Sequence, residues 1–175
     1  MKIDETKLRQ MIPGATDDQI KKFIEPLTEC LERFQIDSPI RIACFIAQIT
    51  HESGSLKYVR ELACGKAYEG RTDLGNTQPG DGDRFKGRGL IQVTGRDNYT
   101  ALKRDLKINC VDEPDLLERP YWAAMTAGWF WNLKGLNRYA DIGDMRAITR
   151  RINGGLTGFD DRMNHFRRCK FVLEV

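Results

Sequence analysis

The sequence from Ser38 to Glu52 is SPIRIACFIAQITHE, and this stretch predicts the fold most directly. Ser38 followed by Pro39 is typical of a helix start, with a side-chain cap and a proline at the first helical position. From Ile40 to Thr50, apolar residues occur on most sides of the predicted helix. A helix that is apolar all round is a buried one. The segment therefore predicts the central helix of a helical core.

Helical patterns continue on both sides of this segment. Asp4 is placed to cap a short first helix, and the stretch from Thr16 to Gln19 has the form of a capping box for a second, in which Pro26 predicts a kink. Further helices are predicted over residues 97–106, 121–133, 144–152 and 160–173. The chain is therefore predicted to be mainly α.

The region between the helical parts has a different character. Residues 53–95 are rich in glycine, and Leu90 to Thr94 alternates enough to predict a short β-strand. We expect a single domain over 1–175, with a helical body at about 1–52 and 96–175 and a small loop and β-hairpin lobe at about 53–95.

Length and composition exclude several classes of protein. The chain has 175 residues, of which 41% are hydrophobic and 30% charged, as in a soluble globular protein, and it is too short for a two-domain dehydrogenase or a (β/α)₈ barrel. The net charge of +3 is too small to indicate nucleic-acid binding. The five cysteines lack a C-x-x-C pair, which favours free buried thiols over zinc ligands or disulfides. No cofactor or metal is expected.

The N-terminus and the apolar segments bear on location. Acidic residues Asp4 and Glu5 lie where a signal peptide would be apolar, so the chain is expected to start in the cytoplasm. The longest aromatic-apolar stretch, 121–131, is far shorter than the roughly 20 residues that cross a bilayer, so membrane insertion is not expected.

Glu52 is the first candidate catalytic residue. It ends the predicted buried helix, where the partial negative charge of the helix C-terminus disfavours a second negative charge. Apolar surroundings would disfavour the ionised form further. Both effects favour a carboxyl group that keeps its proton, as a general acid must. The alternative is that Glu52 is a surface residue at a frayed helix end and has no catalytic role. His51 is not part of an H-E-x-x-H zinc motif, because Ser55 stands at the last position.

A second carboxylate follows nine residues later at Glu61, with Lys57 and Arg60 nearby in sequence. Cationic and polar surroundings favour its ionised form. One neutral and one ionised carboxyl group is the pair that hydrolyses glycosidic bonds. Glu69 is a rival for the second role that spacing alone does not exclude.

The segment from Gly87 to Gly95, GRGLIQVTG, supplies polar groups that suit a sugar and a water molecule. Because side chains alternate along a strand, Gln92 and Thr94 are expected on the same face. The segment matches neither of the two glycine-rich phosphate-binding motifs.

Three motifs in this order resemble those of glycoside hydrolase family 19, the chitinases of plants and bacteria and the endolysins that many phages build on the same fold. They are His51-Glu52-Ser53, the segment from Gly87 to Thr94, and Ile152 to Leu156 with its INGG turn. The resemblance covers about residues 38–173 and is greatest to a single-domain phage or prophage endolysin. It implies a lysozyme-like, two-lobed helical fold whose small lobe flanks a cleft.

The resemblance also implies roles for single residues. Glu52 matches the general acid and Glu61 the general base of an inverting mechanism, and Thr94 matches the residue that helps to hold the attacking water. Gln92, Asn98 and Asn153 match substrate-binding positions, and Arg162 matches a late arginine that supports the acidic network. Asp97 departs from the family, because plant chitinases often have Tyr there.

The expected function is that of an endolysin hydrolysing β-1,4 bonds of bacterial peptidoglycan. A chitinase on the same scaffold, a lytic transglycosylase and a non-catalytic cell-wall-binding module remain open. The expected partner is the peptidoglycan polysaccharide, with no nucleic acid and no stable membrane insertion, and the protein is expected to be a monomer. The resemblance implies that the protein stays in the host cytoplasm until a separate holin-type protein gives it access to the peptidoglycan layer.

Three further features have structural and functional interpretations. Trp122, Trp129 and Trp131 are expected to be core residues more than sugar-stacking platforms, because they follow helical spacing. The stretch from Asp81 to Asp83 is expected to belong to an ordinary loop and not to a Ca²⁺ site. Arginines of the last helix either contact anionic cell-wall polymers or form a plain solvated face.

Overall fold

The computed structural model describes residues 3–175, and it is mainly helical, as predicted. Met1 and Lys2, part of the N-terminal segment interpreted above, lie outside the described residues. The α-helices are α1 (Glu5–Met11), α2 (Asp17–Arg33), α3 (Pro39–Glu52), α4 (Asp81–Arg84), α5 (Arg96–Leu106), α6 (Pro120–Leu133), α7 (Asn137–Ala140), α8 (Met145–Asn153) and α9 (Phe159–Leu173). Three 3₁₀ helices span Gly65–Tyr68, Thr72–Leu74 and Pro114–Glu118.

The first three helices begin at the caps that the sequence predicts. The Asp4 side chain accepts from the Lys7 N–H at 2.8 Å. Thr16 and Gln19 form the complete capping box of α2, and the Ser38 side chain accepts from the Arg41 N–H at the start of α3. Each cap satisfies a helix N–H group that would otherwise have no partner.

Helix α3 lies at the centre of the core. Every residue from Ile42 to Thr50 is buried, as predicted, and α3 packs mainly against α9. Helix α2 packs against α6, whose Trp131 meets Phe45 of α3 edge to face at 5.4 Å between ring centroids. Trp129 and Trp131 are buried, which confirms them as core residues, and Trp122 is partly buried against the core. This packing fixes the C-terminal end of α3, which holds Glu52.

Residues 53–95 contain short helices and turns, and the predicted strand from Leu90 to Thr94 is wrong. Single antiparallel bridges join Arg88 to Arg60 and to Val93, and residues 89–92 form the turn between Arg88 and Val93. Leu90 donates from its N–H to the Ala123 carbonyl of α6 instead of to a neighbouring strand. Without a continuous partner, the alternating pattern does not produce a strand.

The cysteines are free, and four of the five are buried. Burial raises the pKa of Cys30, Cys44 and Cys169 to about 12, so these thiols stay protonated and inert. Cys64 is exposed, contrary to the expectation of burial. Within residues 3–175, no helix is long and apolar enough to cross a membrane.

Candidate active site

Glu52 is the last residue of α3, at the helix C-terminus where the sequence predicts it. Its side chain is 18% exposed, and its Oε1 accepts a hydrogen bond from Nη2 of Arg162 at 2.5 Å. Its Oε2 accepts no hydrogen bond from residues 3–175. One carboxyl oxygen is thus fixed by α9, and the other has no hydrogen-bond donor among the described residues.

A buried row of polar groups lies behind this carboxyl group. Arg162 is 1% exposed and donates from Nη1 to the Oε1 of Gln48, whose Nε2 donates to the Oγ1 of Thr149 at 3.2 Å. Gln48 and Thr149 are fully buried. The prediction that Glu52 has apolar surroundings is therefore wrong on this side of the carboxyl group, where its environment is polar and cationic. The row also brings Arg162, one of the predicted site residues, into contact with Glu52.

His51 links the C-terminal end of α3 to α9 by a hydrogen bond with Asp161. Its Nδ1 lies 2.6 Å from the Oδ2 of Asp161, which is also 3.2 Å from the Nε2 of His165. The hydrogen bond with His51 lowers the pKa of Asp161, and burial lowers the pKa of His165. Gly158 leaves room for the His51 ring, since a Cβ there would lie 2.3 Å from its Cε1. Over residues 3–175, no group of three or more His, Cys, Asp and Glu side chains could hold a metal ion.

A left-handed turn redirects the chain after Glu52. Gly54, Ser55 and Leu56 have φ values of 56°, 64° and 66°. For non-glycine residues this conformation costs roughly 1–2 kcal/mol each. The Ser53 hydroxyl accepts from the Leu56 N–H at 2.8 Å and donates to the Ile49 carbonyl at 2.6 Å, and Leu56 is buried. These contacts offset the strain and lead the chain from the helix end toward Glu61.

Glu61 is held from three directions. Its N–H donates to the Gly87 carbonyl at 2.9 Å, which places it beside the GRG segment. Its Oε1 accepts from the Tyr68 hydroxyl at 2.9 Å, and its Oε2 accepts from the Gly87 N–H at 3.3 Å. The carboxyl group is partly buried. Both oxygens have donors, as suits a carboxylate that works in its ionised form.

Tyr68 was not predicted as a site residue. It ends the 3₁₀ helix Gly65–Tyr68, a loop-like stretch whose sequence shows no periodic pattern. Burial, together with the hydrogen bond to Glu61, raises the pKa of Tyr68, so its hydroxyl remains a donor well above neutral pH. The only feature of the sequence that relates Tyr68 to Glu61 is their spacing of seven residues. Such a spacing predicts proximity only within a regular helix or strand, and this stretch is irregular.

The rival carboxylate, Glu69, is used by the fold. Its Oε1 accepts from the Gly80 N–H at 2.7 Å and its Oε2 from the Gly82 N–H at 2.8 Å. Both oxygens therefore stabilise the start of α4. This arrangement favours Glu61 over Glu69 as the second carboxylate of the site.

Gln92 lies beside Glu61 because of a turn and not because of strand alternation, and Thr94 follows that turn. Gln92 has a φ of 58°, and its Nε2 donates to the Gly89 carbonyl at 3.1 Å. A Cβ placed on Gly87 would lie 2.9 Å from Oε1 of Gln92 and 3.3 Å from Oε2 of Glu61, so these side chains lie on the same side of Gly87. A side chain at position 87 would therefore crowd Gln92 and Glu61, whose flexible ends would have to shift.

Thr94 and Asn98 extend this group. The Thr94 hydroxyl donates to the Gln92 carbonyl at 2.9 Å, and Asn98 Nδ2 donates to the Thr94 carbonyl at 2.7 Å. Arg88, which is 5% exposed, anchors the turn by donating to Asp115 and Glu118. The predicted Gln92, Thr94 and Asn98 are thus connected to one another, and Gln92 lies beside Glu61.

The site residues form two groups joined by residues 53–60. Glu52 and Arg162 make one group, and Glu61 with the turn residues makes the other. Asn153 is the exposed last residue of α8, and within residues 3–175 its side chain has no hydrogen bond to either group. It is connected to the first group only through the helix, since Thr149 one turn earlier contacts Gln48.

Comparisons with known proteins indicate the family and the fold. No family model matches the chain. A glycosyl hydrolase family 19 domain-containing protein of Haemophilus influenzae is 29% identical, and the match covers 95% of each chain. An endochitinase of Arabidopsis thaliana is 41% identical over 65% of this chain but only 39% of its own length. The crystal structure of chitinase C from Streptomyces griseus superposes with a TM-score of 0.81 at 25% identity, covering 99% of this chain and 77% of that one.

Proposed function

Since the chain belongs to glycoside hydrolase family 19, we propose that it hydrolyses β-1,4 bonds between N-acetylated amino sugars, with Glu52 as general acid and Glu61 as general base. The main supporting observation is that the two carboxyl groups have separate and different donors. Glu52 is held by the Arg162 guanidinium, and Glu61 by the Tyr68 hydroxyl and the Gly87 N–H. Two carboxyl groups in different environments can divide the acid and base roles.

Glu52 delivers the proton from its free oxygen. With Oε1 held by Arg162, Oε2 is the atom that faces a ligand, and its proton passes to the glycosidic oxygen as the bond to the sugar carbon breaks. The carboxylate left behind is stabilised by the guanidinium, because opposite charges at this distance in a buried setting attract strongly. Arg162 therefore assists the step in which negative charge appears on Glu52.

Glu61 takes a proton from the attacking water. Its two donors orient the carboxylate, and the water attacks the sugar from the face opposite the leaving group. The Thr94 hydroxyl donates to the Gln92 carbonyl, which leaves its oxygen able to accept a hydrogen bond from that water. Asn98 fixes Thr94, and Gln92, Asn98 and Asn153 contact the sugar. Inversion requires the two carboxyl groups to lie roughly 6.5–9.5 Å apart.

The proposed substrate is bacterial peptidoglycan, and the proposed role is that of a phage-type endolysin. It would stay in the host cytoplasm until a separate holin-type protein releases it, and it would act as a monomer. A relative that matches along nearly its whole length is bacterial, which favours a polymer of bacterial cell walls. Chitin is the second candidate, because the plant relatives and the Streptomyces griseus structure are named as chitinases.

Product analysis tests this proposal. The wild type is given purified peptidoglycan and, separately, chitin oligosaccharides, and the products are identified by mass spectrometry. We expect peptidoglycan fragments with ordinary reducing ends. Fragments lighter by one water would indicate a lytic transglycosylase, and turnover of chitin alone would indicate a chitinase.

Two variants test the assigned residues. Glu52→Gln and Glu61→Gln keep the shape of the side chain but remove the acid and the base, so each is expected to lower kcat by at least about 100-fold. Unchanged cell-wall degradation by Glu52→Gln would support a non-catalytic binding module instead. Unchanged activity of Glu61→Gln would support a mechanism with one carboxylate.

A further inference from the structure

One face of α8 presents two arginines and the proposed substrate-binding asparagine in a row. Arg146, Arg150 and Asn153 are spaced at i, i+4 and i+7, so they share a face that spans about 10 Å at 1.5 Å per residue. All three residues are exposed, whereas Met145, Ile148 and Thr149 of the same helix are buried.

The two guanidinium groups have no carboxylate partner. Within residues 3–175, neither Arg146 nor Arg150 forms an ion pair, although other arginines such as Arg41 do. The Arg146 guanidinium lies 5.2 Å from the centroid of the Phe159 ring, at the first residue of α9. That contact places its charge at the junction of α8 and α9 without neutralising it.

A chain of buried hydrogen bonds connects α8 to the acid Glu52. Thr149 on the buried side of α8 accepts from Gln48, Gln48 accepts from Arg162, and Arg162 donates to Glu52. Arg150 is the residue after Thr149. Asn153, a proposed sugar contact, shares this face with both arginines, so a polysaccharide that reaches Asn153 would bring its substituents to Arg150 and then Arg146.

We propose that Arg146 and Arg150 bind carboxylates of the stem peptides of peptidoglycan while its glycan strand occupies the site at Glu52 and Glu61. The inference rests on the proposed glycosidase function, and it assigns the choice of peptidoglycan over chitin to these two arginines. A guanidinium offers two parallel N–H donors that match a carboxylate. Chitin is uncharged and gives these arginines no partner, whereas the stem peptides of peptidoglycan carry carboxylates on every second sugar.

A double variant and a matched control test the proposal. Arg146→Gln with Arg150→Gln removes both charges from the face. Arg151→Gln with Arg168→Gln removes the same total charge elsewhere, because Arg151 stacks 4.0 Å from the centroid of the Tyr139 ring and Arg168 lines a surface cavity with Gln10 and Pro13. Each protein is given peptidoglycan with intact stems and the same glycan after an amidase has removed them.

The expected result is specific to one substrate. On peptidoglycan with stems, the Arg146/Arg150 variant raises KM about fivefold, as two exposed ion pairs allow. On the stripped glycan its KM equals that of the wild type, and the control is unchanged on both. The difference on intact peptidoglycan should shrink as salt is added, because exposed charge pairs are screened.

Two results would overturn the inference. If the wild type cleaves intact peptidoglycan and the Arg146/Arg150 variant matches the control, the arginines do not recognise stems, and the proposed function stands. An equal loss on intact and stripped glycan has the same meaning, since the arginines then contact the sugars or the lactyl carboxylates that the amidase exposes, or support the fold. If the wild type cleaves chitin oligosaccharides but neither form of peptidoglycan, the proposed peptidoglycan function fails and this inference fails with it.

Discussion

Arg162 of α9 donates from Nη2 to the Oε1 of Glu52, the last residue of α3, at 2.5 Å. The two residues are far apart in sequence, and the guanidinium is 1% exposed. Glu52 is the one carboxylate with which it forms an ion pair within residues 3–175, and the neutral Gln48 accepts its other hydrogen bond. The packing of α3 against α9 therefore depends on the same contact that orients the proposed acid.

Replacing Arg162 should damage both stability and turnover. Arg162→Gln leaves the Glu52 carboxyl and the buried Gln48 without their partner. The free energy of unfolding is expected to fall by about 3 kcal/mol, as for one side of a buried ion pair. Among the molecules that remain folded, kcat should fall about 100-fold, because the acid loses its fixed position. Urea unfolding and steady-state kinetics measure the two effects.

Arg162→Lys and Arg167→Gln are the matched variants. Lysine keeps the charge but not the two-pronged geometry, so its effects should lie between those of the wild type and Arg162→Gln. Arg167 is exposed on the same helix and donates to Asn164, so Arg167→Gln should change neither quantity. Normal kcat in folded Arg162→Gln would refute a role for this contact in catalysis.

Tyr68 should assist the base without being required for the fold. Tyr68→Phe removes the hydroxyl that donates to Oε1 of Glu61, and hydrogen bonds to charged groups contribute roughly 1.5–3 kcal/mol. We expect kcat to fall about tenfold, with KM little changed, because the carboxylate loses one of its two donors. Steady-state kinetics of the two parameters provides the measurement.

Tyr121→Phe is the control for this substitution. Tyr121 packs on the Trp122 ring at 4.9 Å between centroids, and within residues 3–175 it donates no hydrogen bond to Glu61. It should keep the wild-type kcat. A Tyr68→Phe enzyme as active as this control would show that the Gly87 N–H alone suffices to orient the base.

Glu61 and Glu69 should respond to the same chemical change with different effects on kcat. Glu69→Gln replaces one carboxylate oxygen by an amide nitrogen, so either the Gly80 or the Gly82 N–H loses its acceptor. The free energy of unfolding should fall by about 1 kcal/mol while kcat is retained. Glu61→Gln likewise takes an acceptor from the Tyr68 hydroxyl or the Gly87 N–H, so a similar fall in stability is expected, but it should lower kcat by at least about 100-fold. Thermal melting and kinetics on both variants decide the assignment, and the reverse pattern would make Glu69 the base.

The parts of the fold that local chemistry controls were predictable. Caps at Asp4, Thr16 and Ser38 lie within three residues of the N–H groups that they satisfy, so a short stretch of sequence suffices to find them. The strand over 90–94 was wrong because a strand depends on a distant partner, and here α6 supplies a single carbonyl at Ala123. The short helices α4 and α7 were missed because four residues show no periodicity.

The site residues likewise divide into those that local sequence predicts and those that depend on distant partners. The position of Glu52 follows from where its helix ends. Gln48 was hidden by its place in an apolar run, because its partners Thr149 and Arg162 lie about a hundred residues away. Gln92 and Thr94 were expected together for a reason that the structure does not support, since a turn with Gln92 at positive φ brings them together.

The stability of the α3–α9 contact should depend on pH through His165. Burial is the main cause that lowers its pKa from the ordinary value of 6.5, with the Arg168 charge in the same direction and Asp161 opposing. Below the ordinary value the unfolded chain takes up a proton that the folded chain resists, so the free energy of unfolding falls as pH falls. We expect the melting temperature to drop between about pH 7 and pH 5, and to drop less in His165→Gln.

Asp161 acts in a different pH range. Its pKa is lowered below the ordinary value of 3.8, mainly by the hydrogen bond with His51, so the stability that it contributes is lost only at more acid pH. The interval above pH 5 therefore reports on the histidine. Identical pH dependence in the wild type and His165→Gln would show that the burial of this ring has no energetic effect.

The anomeric form of the first product tests the central claim most directly. Time-resolved NMR of the wild type acting on a soluble β-1,4 oligosaccharide of N-acetylated amino sugars would observe the new reducing end before it equilibrates in water. An acid at Glu52 and a base at Glu61 that activates water predict the α-anomer, because a single displacement inverts the β bond. Initial formation of the β-anomer would mean a double displacement, and it would contradict the roles assigned to both residues.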